Sequence, residues 1–139
     1  MKLPNKIYIF NIMNNSRITI SDTILKLYPN SQFTIINDDY NLLSWYEENT
    51  VQKPTLEQIN IKMEELKLLE PMKRLREDRN IKLLETDKYS IPDWPHQSEE
   101  IKQSWMTYRQ ALRDLPNISN PQLDSYGFVT NVTWPTPPS

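Results

Sequence analysis

The chain contains no cysteine. Disulfides, thiolate metal sites and a cysteine nucleophile are therefore excluded. Glycine is almost as scarce: Gly127 is the only one, against 11 prolines. A phosphate-cradling loop needs several glycines, so that backbone N–H groups can approach an anion. Neither a P-loop nor a dinucleotide fingerprint fits this sequence. His96 is the single histidine, so any metal site would have to be built from carboxylates. No run of 18 apolar residues occurs, which leaves no candidate membrane span. A charge excess is missing too: 16 basic residues face 18 acidic ones, for a net charge of −2. Sequence-independent nucleic-acid binding would need a basic patch, so no nucleic-acid partner is expected. No cofactor, metal or membrane partner is expected either.

What is present is a chain of 139 residues with a hydrophobic share of 37%. That length suits one domain, or one small domain with arms, and the modest apolar share implies that a good part of the chain is exposed or covered by partners. Proline, Asn and Asp take the corners that glycine would otherwise take. Lys6–Ile12 (KIYIFNI) alternates as a strand does, and it lacks the small-residue cleavage site of a signal peptide. Ser21-Asp22 offers a helix N-cap, with a short helix over Thr23–Tyr28 stopped by Pro29. Gln32–Asn37 and Asn41–Glu47 read as two further strands around an Asp38-Asp39 turn.

Pro54-Thr55-Leu56-Glu57-Gln58 is a helix start, with Thr55 as cap and Gln58 as its capping-box partner. Leu56, Ile59, Met63 and Leu66 then make an apolar stripe, with Lys62, Glu64, Glu65 and Lys67 elsewhere on the helix. Pro71 should kink or break this helix, because it removes a donor and clashes one turn back. Met72–Thr86 forms a second helical stretch with Leu75, Ile81, Leu83 and Leu84. A loop with Pro92 and Pro95 around Asp93-Trp94 follows. Ser98 caps the last helix, favoured by Glu99 and Glu100 in its first turn. Ile101, Trp105, Tyr108, Leu112 and Leu115 are spaced 4, 3, 4, 3 along one face, and Pro116 ends the helix. Phe128, Val132 and Trp134 then lie in an extended segment, and Pro135, Pro137 and Pro138 favour a polyproline-like arm.

The fold class expected is α+β. A small N-terminal α/β unit with two or three short strands and one short helix occupies 1–53. A helical region, with a long Pro-kinked helix and an amphipathic partner forming a hairpin, occupies 54–116. An extended Trp/Pro-rich arm occupies 117–139. Leu56, Ile59, Met63, Leu66, Ile101, Trp105, Tyr108 and Leu112 are the expected core.

Candidate chemistry is thin. His96 in Pro-His-Gln-Ser reads as a loop residue near a helix start. Asp38-Asp39 reads as a turn, and Lys73–Arg79 as a solvated helix face. Asn14, Asn117 and Asn131 open glycosylation sequons that matter only on a secretory route. The aromatics carry more weight, because Trp, Tyr and Arg dominate interface hot spots. Trp94 and Trp134 sit beside prolines and suit either a small core or a partner. Arg109 and Arg113, one turn apart beside the apolar stripe, could bind a carboxylate across the hairpin, such as Asp87 or Asp93, or one on a neighbouring chain. The expected partner-binding set is Trp94, Arg109, Arg113, Phe128, Trp134, Pro135 and Pro137, with no catalytic residue.

Residues Arg76–Arg79, Leu83-Leu84, Thr86-Asp87, Pro92–Pro95, Trp105–Pro116 and Trp134–Pro138 together resemble the phage tail assembly chaperone family. Its pattern runs from an arginine-rich helix through Thr-Asp and a Pro-Asp loop. It continues with Trp-x-x-Tyr-Arg-Gln-Ala-Leu-Arg-Asp-Leu-Pro and closes on Trp-Pro-x-Pro-Pro. Where many relatives carry Trp after the Thr-Asp, this chain has Lys88. The first half, ISDTILKLYPNSQFTIINDDYNLLSWYEE with KPTLEQI, is more loosely similar to the XkdW-type phage tail proteins. The resemblance implies a non-enzymatic protein of a phage tail or tail-fibre apparatus that acts by protein binding. It implies a structural component of the virion or, alternatively, a transient assembly chaperone in the host cytoplasm. Its partners would be other tail or tail-fibre proteins, or a second copy of itself. Trp105→Ala should cost about 3–5 kcal/mol of stability, the usual cost of deleting a buried aromatic; urea denaturation of the variant measures it.

Overall fold

The computed structural model describes residues 17–139. The expected strand Lys6–Ile12 lies outside the described residues. Within them, three helices and two small antiparallel sheets follow in the order α1, β1, β2, α2, α3, β3, β4. The class is α+β.

Helix α1 spans Ile20–Leu27. Its cap is Thr19 and not Ser21: Thr19 Oγ1 accepts from the Asp22 N–H at 3.0 Å, and Asp22 accepts from the Thr19 N–H at 3.0 Å. This reciprocal box starts the helix three residues earlier than the Ser-Asp reading does. The earlier start turns Ile20 and Ile24 inward. Asp38 reaches back from the following loop and accepts from the Ile20 N–H at 2.8 Å. Its neighbour Asp39 accepts from the Asn41 N–H at 2.9 Å. Both carboxylates are spent on local backbone donors. The turn before them holds Asn37 and Asp38 at φ 54° and 56°, a left-handed geometry that Asn and Asp tolerate better than other non-glycine residues.

The two expected strands of this region shrink. β1 is Phe33–Thr34 and β2 is Ser44–Trp45, paired antiparallel with Phe33 opposite Trp45. Tyr40–Leu42 is a 3-10 turn where a strand was expected, because the Asp39 side chain tightens the chain onto Asn41. Trp45 stacks on Phe33 with ring centroids 6.0 Å apart and donates its indole N–H to the Val51 carbonyl at 3.0 Å. Asn49 braces the ribbon, accepting from the Gln32 N–H and donating to the Gln32 carbonyl, both at 2.7 Å. A two-stranded ribbon is marginal alone. Here α1 and the start of α2 complete it: Ile20, Ile24, Leu43 and Ile59 form a buried cluster, with Phe33, Ile35, Tyr40, Trp45 and Met63 packed around it.

Helix α2 runs Leu56–Glu85, 30 residues, without interruption at Pro71. Its start is the anticipated one: Thr55 and Gln58 form the capping box. Of the two outcomes expected at Pro71, a kink or a break, the break does not occur. An interior proline costs about 3 kcal/mol, but the helix is anchored on both sides of it, by Ile59 and by Leu75, each fully buried. Each such side chain contributes about 1.5–3 kcal/mol. Glu70 also pairs across the proline with Arg74 at 2.8 Å and Lys73 at 3.4 Å. Leu56 is corrected as well: it is 43% exposed. As the first helical residue it lies about a turn before Ile59 and outside the buried cluster.

Helix α3 spans Glu99–Ile118, capped by Ser98, whose hydroxyl accepts from the Ile101 N–H at 3.2 Å. It passes through Pro116 and does not end there. The buried Leu112 and Leu115 hold that last turn against α2. β3 (Gln122–Leu123) and β4 (Val129–Thr130) then form a hairpin that also rests on α2. The one glycine of the sequence closes it: Gly127 has φ 85°, and its N–H donates to the Asp124 carbonyl at 3.0 Å. Asp124 also accepts from the Tyr126 and Phe128 N–H groups at 2.8 and 2.9 Å. The expected extended arm therefore begins only after this hairpin. Leu75→Ala should lower stability by about 2–5 kcal/mol, whereas Leu56→Ala should stay within about 0.5 kcal/mol; paired denaturant titrations compare them.

Candidate partner-binding surface

The far end of α2 is built around Arg109. A helix leaves its last carbonyls without intrahelical donors. Here Arg109 reaches across from α3 and donates to the Leu83 carbonyl at 2.7 Å and the Thr86 hydroxyl at 2.9 Å. It also donates to the Asp87 carboxylate at 2.6 Å. Thr86 itself donates back to the Lys82 carbonyl at 2.8 Å. Arg109 is only 5% exposed, which corrects its expected place on the partner-facing surface. The Asp87 side of the pair is open to water, so screening weakens the ionic part, and the capping of buried backbone groups carries most of its value.

Beside this cap lies an aromatic stack. Tyr89, in the 3-10 turn Asp87–Ser90, stacks on Trp105 with centroids 3.8 Å apart. Trp94 meets Tyr89 edge-on at 5.5 Å, and Tyr108 meets Trp105 edge-on at 5.9 Å. Such pairs add about 0.5–1.5 kcal/mol each beyond area burial. Lys88 lies over both Tyr89 and Trp94, at 5.0 and 5.6 Å. The position that departs from the family pattern thus roofs the loop with a cation. His96 Nε2 is 3.1 Å from the Tyr89 carbonyl, which makes it a brace of the same loop.

The chain after β4 returns along the hairpin of α2 and α3. Trp134 lies under Lys82, 5.2 Å from Nζ to the ring centroid. Thr136, Pro138 and Ser139 face Glu99, Glu100, Ile101, Ser104 and Tyr108 across an open trough of about 760 Å³. Burial raises the Tyr108 phenol pKa, and the Glu85 charge adds to the rise. The Glu100 carboxyl is held below its ordinary range by its own backbone N–H and then by the Ser98 hydroxyl.

The other expected site residues are dispersed. Trp94, Trp134 and Pro135 are half-buried against this chain, while Arg113 and Pro137 are exposed. Phe128 is 69% exposed at the hairpin tip, beside Tyr126 at 77%. Of the expected core, Ile59, Tyr108 and Leu112 are buried, and Met63, Leu66, Ile101 and Trp105 are half-buried. Leu75 and the Lys82–Trp134 contact were not singled out. Leu75 carried a signal, since it lies in the apolar series of the second helical stretch; Lys82 carried none.

Exposed apolar and aromatic side chains mark this region, and no group of His, Asp or Glu that could hold a metal occurs among the described residues. Residues 72–139 match the family model described as phage tail assembly chaperone protein. This is just under half of the chain, and it covers the end of α2, all of α3, the β3–β4 hairpin and the arm. The family is not an enzymatic one, and the similarity points to a role in phage tail assembly. The match leaves the first half outside it, so the XkdW-type resemblance gains no support from it. No curated protein and no solved structure matches the chain.

Because the raised Tyr108 pKa keeps the folded phenol neutral longer than the unfolded one, its contribution is complete below the unfolded pKa. It is lost as pH rises through the folded value. Stability should therefore fall above about pH 10, and Tyr108→Phe should flatten that alkaline limb in thermal melts across pH.

Proposed function

We propose that this protein is a tailed-phage assembly factor. It shields an apolar surface of a tail or tail-fibre component in the host cytoplasm and leaves before the particle is finished. The observation that carries this reading is the match of residues 72–139 to the assembly chaperone family. It falls on the part of the chain that bares Leu84 (72% exposed), Ile118 (79%), Tyr126 (77%) and Phe128 (69%). Monomeric proteins rarely leave many large apolar side chains bare without a use for them. Mixed-sign ion pairs along α2, such as Lys62–Glu65 and Glu64–Lys67, lie among the bare Ile61, Leu68 and Leu69 and suit reversible contact.

In this reading the end of α2, α3 and the β3–β4 hairpin present the surface, and the cluster of α1, the β1–β2 ribbon and Ile59 anchors the other end of the long helix. The alternative of a permanent virion component draws on the same apolar surface, but the family description names assembly and not the particle. Mass spectrometry of infected-cell lysate and of purified virions separates the two. The expected result is a complex with one tail protein in lysate and no copies in the particle. Stoichiometric amounts in purified particles would overturn the transient role.

A further inference from the structure

Helix α2 carries a row of side chains that the fold leaves largely bare. Glu64, Leu68, Met72 and Arg76 follow one another at intervals of four residues, and such a row forms one continuous ridge on a helix surface. Leu68 is 83% exposed, Glu64 and Arg76 are exposed, and Met72 is half-buried. Leu75, which is fully buried, lies about 100° round the helix from Arg76. Ile59 and Met63, which belong to the first cluster, lie on roughly the opposite side of the helix from the ridge.

The chemistry along this ridge runs acid, apolar, apolar, base. Turned end for end about a two-fold axis beside Glu70, the ridge meets its own complement. Glu64 then faces Arg76 of a second copy, and Leu68 faces Met72. A two-fold interface uses the same patch on both copies, so each contact occurs twice. Both charges are available for it. Glu64 Oε1 accepts from Lys67 at 2.6 Å, and no donor among the described residues reaches Oε2. That pair is exposed and weakly held. The Arg76 guanidinium has no acceptor among the described residues, since its neighbour Glu77 turns to Lys73 at 3.8 Å.

The rest of α2 follows the same gradient. Residues 56–70 hold four acids and two bases, and residues 71–85 hold five bases and three acids. Only an antiparallel pairing sets the acidic half of one copy on the basic half of the other. Helices whose four-residue ridges interdigitate cross at about 50°, which confines the contact to about 18 Å of helix between Glu64 and Arg76. Ile61 (65% exposed) and Leu69 (59%) stand in the adjoining row and widen its apolar centre.

We propose that this ridge is a homodimer contact: two copies pair antiparallel through Glu64, Leu68, Met72 and Arg76. A second copy is the occupant because the ridge carries both halves of the match. A foreign partner would have to supply the same gradient in reverse. A contact this short is smaller than most stable interfaces, so the dimer should dissociate on dilution. The inference goes beyond the assembly role and does not rest on it.

Sedimentation equilibrium of the full chain over a dilution series reads the dimer. Wild type should pass from monomer to dimer as concentration rises. Glu64→Arg and Arg76→Glu should each weaken the dimer about tenfold or more, since each sets like charges opposite one another twice. An equimolar mixture of the two variants should dimerise again, because opposite charges then meet at both contacts of the mixed pair. Leu68→Gln should weaken the dimer as well. Melting temperatures equal to that of dilute wild type show that the variants are folded. Wild type that stays monomeric at the highest concentration reached overturns the dimer and leaves the ridge to a different partner. Association that survives both charge reversals places the contact elsewhere and overturns it too. A mixture no tighter than the single variants overturns the antiparallel pairing. The presence of the protein in lysate or in virions bears on the assembly role alone.

Discussion

The structure depends most on one side chain reaching from one helix to the end of another. Arg109 closes the last turn of α2 through the Leu83 carbonyl and Thr86, and fixes the following turn through Asp87. With that end closed, Tyr89 comes to rest on Trp105, and α3 lies so that Leu112 and Leu115 are buried alongside α2. A lysine could not do the same work. It lacks the planar fork that satisfies a carbonyl, a hydroxyl and a carboxylate together.

Little of the chain is spent on burial elsewhere. One buried cluster joins α1, the β1–β2 ribbon and the start of α2; the other buried hydrophobic side chains, Leu75, Tyr108, Leu112 and Leu115, belong to α2 and α3. Between Ile59 and Leu75 no residue of α2 is buried. Leu68 is 83% exposed and Leu69 59%. The apolar stripe read from Leu56 to Leu66 therefore describes a helix that buries only its Ile59 position fully. Its hydrophobic residues are spread around the helix because different stretches of it serve different neighbours.

Local grammar was legible where a side chain acts on its own backbone. The Thr55–Gln58 box, the Ser98 cap and the Asp38-Asp39 turn follow from short-range hydrogen bonding, and all are present. The 4, 3, 4, 3 spacing in α3 located Tyr108 and Leu112, and Asp87 was among the acids within Arg109's anticipated reach. Prolines misled. Pro71 lies inside a helix because burial on each side outweighs the local cost, and Pro116 lies in the last turn of α3, where the buried Leu112 and Leu115 precede it; that burial is set by partners distant in sequence. The α1 cap moved to Thr19 for a related reason, since the earlier start places Ile20 and Ile24 in the first cluster. Lys82 and Trp134, 52 positions apart, leave no pattern in the sequence that would join them.

An uninterrupted α2 has a mechanical consequence. Its two fully buried points, Ile59 and Leu75, are separated along one continuous helix by about 24 Å at the usual rise per residue. Whatever engages the ribbon end and whatever engages the aromatic end are therefore kept at a set span. Such a span is a gauge: a loop at Pro71 would have let the two ends fold toward each other.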